Sequence, residues 1–175
     1  NVDKKQKLDI LMQSLKKVSE KYDYDLVWPL HPRTKKMLEK FNLKIPEKIK
    51  VIEPVGYLGF LQLESNARLI ITDSGGVQEE ASILKVPCIT MRDTTERQET
   101  VDIGCNVVAG VGNNNLIKHV KDMLKNERNW ESPYGDGKSS EFIIKKLKEL
   151  HLKNDKLSDV SLQHSPKNNL LIIFV

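Results

Sequence analysis

Apolar positions in this chain recur with two alternating periods. Over residues 5 to 20, Leu8, Leu11, Met12, Leu15 and Val18 fall three or four positions apart, the spacing of one helix face. Leu26-Val27-Trp28-Pro29-Leu30 is instead a short continuous apolar run, which fits a buried strand leading into His31. The same reading predicts a helix over 33–41, a strand at 50–53, a helix over 57–66 and a strand at 68–72. A helix after Gly76, a strand at 87–91, a helix near 95–103, a strand at 106–109, and helices near 115–126 and 138–150 complete the series. Such alternation predicts an α/β fold with a doubly wound parallel sheet, whose ligands sit outside the carboxyl ends of the strands. His31, Ser74 to Gly76 and Arg92 to Arg97 all follow predicted strand ends, so one rim can gather them.

The most informative stretch is Thr72-Asp73-Ser74-Gly75-Gly76-Val77-Gln78-Glu79-Glu80-Ala81, where a short apolar strand runs into two glycines and a helix opens. Backbone N–H groups at a helix start lack intrahelical partners and sit at the positive end of the macrodipole, so they can take phosphate oxygens. Glycine lets a ligand come close to the backbone. With Gly76 in the first turn, Glu80 lies four residues on, along the same face. Glu79 is rotated about 100° from it and is expected to point elsewhere. A carboxylate one turn above a diphosphate can accept two hydrogen bonds from ribose hydroxyls. The alternative is a plain capped helix, in which Asp73 or Ser74 satisfies the first N–H groups and the two glutamates complement the dipole.

Other candidates carry similar pairs of readings. His31 at a strand exit can donate to a phosphate oxygen or cap the following helix. His119, His151 and His164 read as surface residues. Arg97 offers a planar fork for oxygens. Arg92 is either a site residue or the ion-pair partner of Asp93 or Glu96, and Thr95 with Gln98 reads as a capping box. Residues 134 to 137 form a turn.

Composition narrows the function classes. The chain of 175 residues is long enough for one domain with a sizeable core. The excess of 28 Lys plus Arg over 24 Asp plus Glu is small, and pairs such as Lys4-Lys5 and Lys145-Lys146 read as solvated helix faces. Nucleic acid is not indicated, because no basic patch is interleaved with aromatics. Cys88 and Cys105 are isolated and read as buried thiols in a reducing cytoplasm. No apolar stretch reaches membrane-spanning length, and the start has no signal-peptide pattern.

Three motifs in order carry a family resemblance: Asp73-Ser74-Gly75-Gly76-Val77-Gln78-Glu79-Glu80-Ala81, then Met91-Arg92-Asp93-Thr94-Thr95-Glu96-Arg97-Gln98-Glu99-Thr100, then Pro133-Tyr134-Gly135-Asp136-Gly137. With His31-Pro32-Arg33-Thr34 and Phe60, they resemble the C-terminal domain of non-hydrolysing UDP-N-acetylglucosamine 2-epimerases over roughly residues 1 to 150. The resemblance implies a Rossmann-like UDP-binding domain at 1–150, half of a GT-B-type two-domain architecture, followed by a tail at 151–175 that does not match. It places His31 at the substrate diphosphate, where it helps UDP depart, and Phe60 at the nucleotide pocket, although Phe60 equally suits the core of its helix. Ser132 stands where asparagine is common in the family.

The implied reaction interconverts UDP-N-acetylglucosamine and UDP-N-acetylmannosamine, a step of polysaccharide biosynthesis. UDP leaves C1 as the C2 proton is lost, and re-adds after protonation of the other face. No metal, nicotinamide or flavin cofactor is implied, and family members are commonly homodimers. The first residues are similar to a segment that in the family follows a strand ending in His-Arg. That strand and the N-terminal domain bearing the acids proposed for C2 chemistry are therefore expected to be missing from this chain, which alone should be inactive. A GT-B glycosyltransferase and an orphaned, non-catalytic UDP-binding module remain as alternatives. The tail, ending in the apolar run 170–175, is read as a docked strand, a disordered extension or translation past a disrupted end.

Overall fold

A computed structural model describes residues 3–111 and 115–154, with side chains to residue 150. The chain divides into two compact units, residues 1–134 and 135–175.

The first unit begins with α1 (Lys5–Lys21), β1 (Leu26–Pro29), α2 (Pro32–Phe41) and β2 (Ile49–Ile52). It continues with α3 (Tyr57–Ser65), β3 (Ile70–Thr72), α4 (Gly75–Ile83) and β4 (Cys88–Thr90), then α5 (Gln98–Asp102), β5 (Asn106–Val108) and α6 (Leu116–Met123). Every strand and helix expected from the apolar pattern in this unit is present, with ends displaced by a few residues.

The strands are all parallel, but they form two sheets. β1 pairs with β2, Leu26 opposite Ile49, and β3-β4-β5 form a second sheet with Cys88 opposite Ile70 and Asn106. Among the described residues, no strand bonds to both β1 and β3. α1 spans the division. Leu8 and Met12 pack with Leu30 and Leu38 beside the first sheet, Val18 packs with Ile89, Met91 and Val120 beside the second, and Leu11 and Leu15 touch both clusters.

β4 is the centre of the larger sheet, and Cys88, Ile89 and Thr90 are all buried. Burial in this apolar layer pushes the Cys88 thiol up to about 12, so it stays neutral, and Cys105 is a second buried free thiol. α4 ends where Lys85 turns left-handed at φ 58°, which sends the chain back into β4.

The second unit contains α7 (Ser139–Asn154), preceded by a turn in which Gly135 and Gly137 take φ of 77° and 83°, a region that favours glycine. Helical backbone continues through 151–154, into the stretch assigned to the tail, since Leu-Lys-Glu-Leu-His-Leu-Lys contains neither glycine nor proline. The apolar run 170–175 lies outside the described residues.

Candidate functional site

The loop after β3 is held by its own side chains. Thr72 Oγ1 accepts the Ser74 N–H at 3.0 Å, and Ser74 takes the N-cap position of α4 with extended backbone. Its hydroxyl makes no capping bond, so the Ser74 form of the capped-helix alternative is not realised. Gly75 and Gly76 are the first two residues of the helix, and the N–H groups of such a first turn have no helical acceptor. A side chain at Gly75 would meet the Arg97 guanidinium, whose Cζ and Nη2 lie 3.7 Å from the position a Cβ would take. A cation therefore stands beside a helix N-terminus. Two positive features in one place are matched by an anion.

Arg97 is held by Glu79, which accepts its Nε–H, and this pairing favours the charged guanidinium. The expectation that Glu79 points elsewhere is thereby corrected. The rotation that takes Glu79 off the Glu80 face turns it toward the β4–α5 loop, where Arg97 lies. The capping-box reading is corrected too. α5 begins at Gln98 with Arg97 at its N-cap, and Gln98 donates to Asp102 at 3.2 Å. Thr95 Oγ1 instead accepts the Arg97 N–H at 3.0 Å and donates to Gln78 Oε1 at 2.5 Å.

That last bond belongs to a buried polar network. Asn106 Nδ2 donates to Gln78 Oε1 at 3.1 Å and to Thr100 Oγ1 at 2.9 Å; Thr90 Oγ1 donates to Asn106 Oδ1 at 2.9 Å; Thr100 Oγ1 donates to Arg97 O at 2.6 Å. The network locks the first turn of α4 to the loop that presents Arg97. Sequence reasoning missed it, although a Gln on the buried Gln78–Ala81–Ser82 face of α4 is a legible signal.

Glu80 is half-buried on α4, and Phe60 is half-buried on α3, which packs against α4. Phe60 belongs to neither main apolar cluster. His31 stands on the other sheet. It is exposed and caps α2, its Nδ1 accepting the Arg33 N–H at 3.2 Å, so the capping alternative is realised. A ring nitrogen that accepts is unprotonated, which in the neutral ring puts the proton on Nε2. Arg92 pairs with Glu96 at 2.8 Å, the structural reading of that residue. Tyr134 donates its hydroxyl to Glu99 at 2.9 Å, and burial together with this bond pushes its own ionisation up. The structure thus joins Ser74, Gly75, Gly76, Glu79 and Arg97, sets Glu80 and Phe60 on α4 and α3, and keeps His31 at the N-cap of α2.

The profile described as UDP-N-acetylglucosamine 2-epimerase matches residues 1–148. The UDP-N-acetylglucosamine 2-epimerase of Methanocaldococcus jannaschii is 55% identical over 151 residues, covering 84% of this chain and 41% of that protein. Its counterpart in Methanococcus maripaludis is 50% identical over 148 residues, covering 82% and 40%. The crystal structure of the M. jannaschii enzyme in complex with UDP-GlcNAc and UDP superposes with a TM-score of 0.78 at 53% identity, over 85% of this chain and 42% of that one. The chain therefore belongs to the UDP-N-acetylglucosamine 2-epimerase family, and spans about two fifths of the length of these relatives.

Proposed function

We propose that residues 1–150 are the C-terminal, UDP-holding domain of an enzyme that interconverts UDP-N-acetylglucosamine and UDP-N-acetylmannosamine by elimination and re-addition of UDP. The observation that carries this reading is the Arg97 guanidinium set against Gly75 at the start of α4, where the Ser74 hydroxyl makes no capping bond. The N–H groups of Gly75 and Gly76, with Arg97, take the diphosphate. Glu80, one turn on, accepts the ribose hydroxyls, and Phe60 lines the nucleoside pocket. As the C1–O bond breaks, negative charge grows on departing UDP, and fixed dipoles with a paired arginine stabilise it without rearranging. His31 Nε2–H is the donor assigned to the same oxygens. Removal and return of the C2 proton fall to acids of the N-terminal domain of such an enzyme. The reading includes a homodimeric intact enzyme in the cytoplasm and no added cofactor. Among the described residues no helix is long and apolar enough to cross a membrane.

Turnover tests it. The chain alone should not interconvert the two UDP sugars, and adding the N-terminal domain of a close relative should restore measurable epimerisation. Transfer of the sugar to an acceptor, with no UDP-N-acetylmannosamine formed, would point to a glycosyltransferase. UDP binding with no turnover in any combination would leave a binding module.

A further inference from the structure

α3 exposes two of its three leucines and buries an acid. Leu58 is 80% exposed and Leu63 38%, whereas Glu64 is 4% exposed. Both Glu64 carboxyl oxygens are shut from solvent, and no protein donor bonds to either. An ionised carboxylate left this way is among the costliest groups a fold can hold. The group that meets it across the α3–α4 contact is the Glu80 carboxyl. Two carboxylates are acceptors only, so they can share a hydrogen bond only if one of them carries a proton.

We propose that Glu64 is a positioning residue of the nucleotide site, holding a proton and donating it to Glu80 so that Glu80 stays a carboxylate aimed at a vicinal diol. This rests on the reading of Glu80 as the ribose acceptor. Burial first, then the Glu80 charge and the bond to it, push Glu64 up to about 7. Burial is the largest influence on Glu80 and, with the neighbouring Glu79 charge, leaves it above its ordinary value; the donations from Glu64 and from Tyr57 on α3 act the other way and favour its charged form. The remaining titratable group that senses Glu64 is the neutral Cys88 thiol on β4. Among the described residues, burial and Glu80 alone are the causes that act on Glu64, and both favour its protonated form. As pH rises, the proton leaves Glu64 for solvent, and two adjoining carboxylates repel where one oriented acceptor stood.

The test uses the full chain, ¹³C-labelled at glutamate side chains, with UDP as the titrant. Glu64 Cδ should titrate near neutrality without ligand and vanish from the spectrum in Glu64→Gln. UDP affinity of the wild type should fall relative to Glu64→Gln by up to about tenfold per pH unit above 7. The glutamine amide still donates but does not titrate, and comparison with it removes the ionisation of UDP itself. Glu64→Met keeps the volume, loses the donor, and should bind more weakly at every pH while its melt stays cooperative. A Glu64 signal titrating in the ordinary carboxylate range, or identical pH profiles for wild type and Glu64→Gln, would overturn the inference. UDP failing to bind at any pH, with Glu64 still titrating near neutrality, would overturn the nucleotide reading instead.

Discussion

Arg97 and Glu79 make a partly exposed pair beside the α4 start, so each must be judged through the other. Arg97→Lys keeps the charge but loses the planar fork and the Nε donor. It should weaken UDP binding by about 1 to 3 kcal/mol with little change in the melt. Glu64 gives a stability signature of opposite sign to most acids. Its folded value lies above the ordinary 4.5, so the folded state holds the proton more tightly. Its contribution is complete below about pH 4.5 and lost as pH rises through about 7. The Tm of the wild type measured against Glu64→Gln should therefore fall across that window, by roughly 2 to 4 °C per kcal/mol for a chain of this length. A flat difference would contradict it. Ser74, Gly75, Gly76 and Arg97 were legible because each has a chemistry that shows in its type and place. Glu79 and Glu64 were not. Periodicity states which face a residue occupies, but not which loop or helix lies across from it.

At the scale of elements, the start of α4 separates ligand space from packing space. Gly75 has no positive φ, and a Cβ there would reach the Arg97 guanidinium at 3.7 Å, an ordinary contact. Gly75→Ala should thus be neutral or stabilising by up to about 1 kcal/mol, since alanine loses less chain entropy in a helix, yet weaken UDP binding by filling the approach to the backbone. Thermal melts with calorimetry on the same protein check both halves. A loss of stability without a loss of binding would refute the reading. The strand–helix alternation was visible in the sequence because apolar period and glycine punctuation agree at β3–α4 and β4–α5. The capping box failed because Thr95 found Gln78, 17 positions away in sequence, a partner that local rules cannot anticipate.

Across the first unit, α1 is the part that couples the two sheets. Trp28 lies on β1, and Trp130 donates its indole N–H to Ser82 O at 3.0 Å beside α4, so the two tryptophans report different sheets. Single-tryptophan variants should melt in one coincident transition, and Leu15→Ala, which removes contacts to both clusters, should cost about 2 kcal/mol and part the two transitions. Persisting coincidence with no loss of stability would show that α1 is not the link. The gap in the sheet was legible only through the family resemblance, which implies a missing strand, because the apolar pattern of a strand gives its buried faces and not its hydrogen-bonded neighbours. The central claim is that the α4 start holds UDP with its ribose on Glu80, and calorimetric titration of UDP into the wild type, Glu80→Gln and Glu79→Gln tests it most directly. Wild type should bind, Glu80→Gln should lose about 1.5 to 3 kcal/mol, and Glu79→Gln, which only loosens a partly exposed pair, should lose less than about 1 kcal/mol. No binding by the wild type, or equal and negligible losses at both positions, would contradict the account and leave α4 as an ordinary helix.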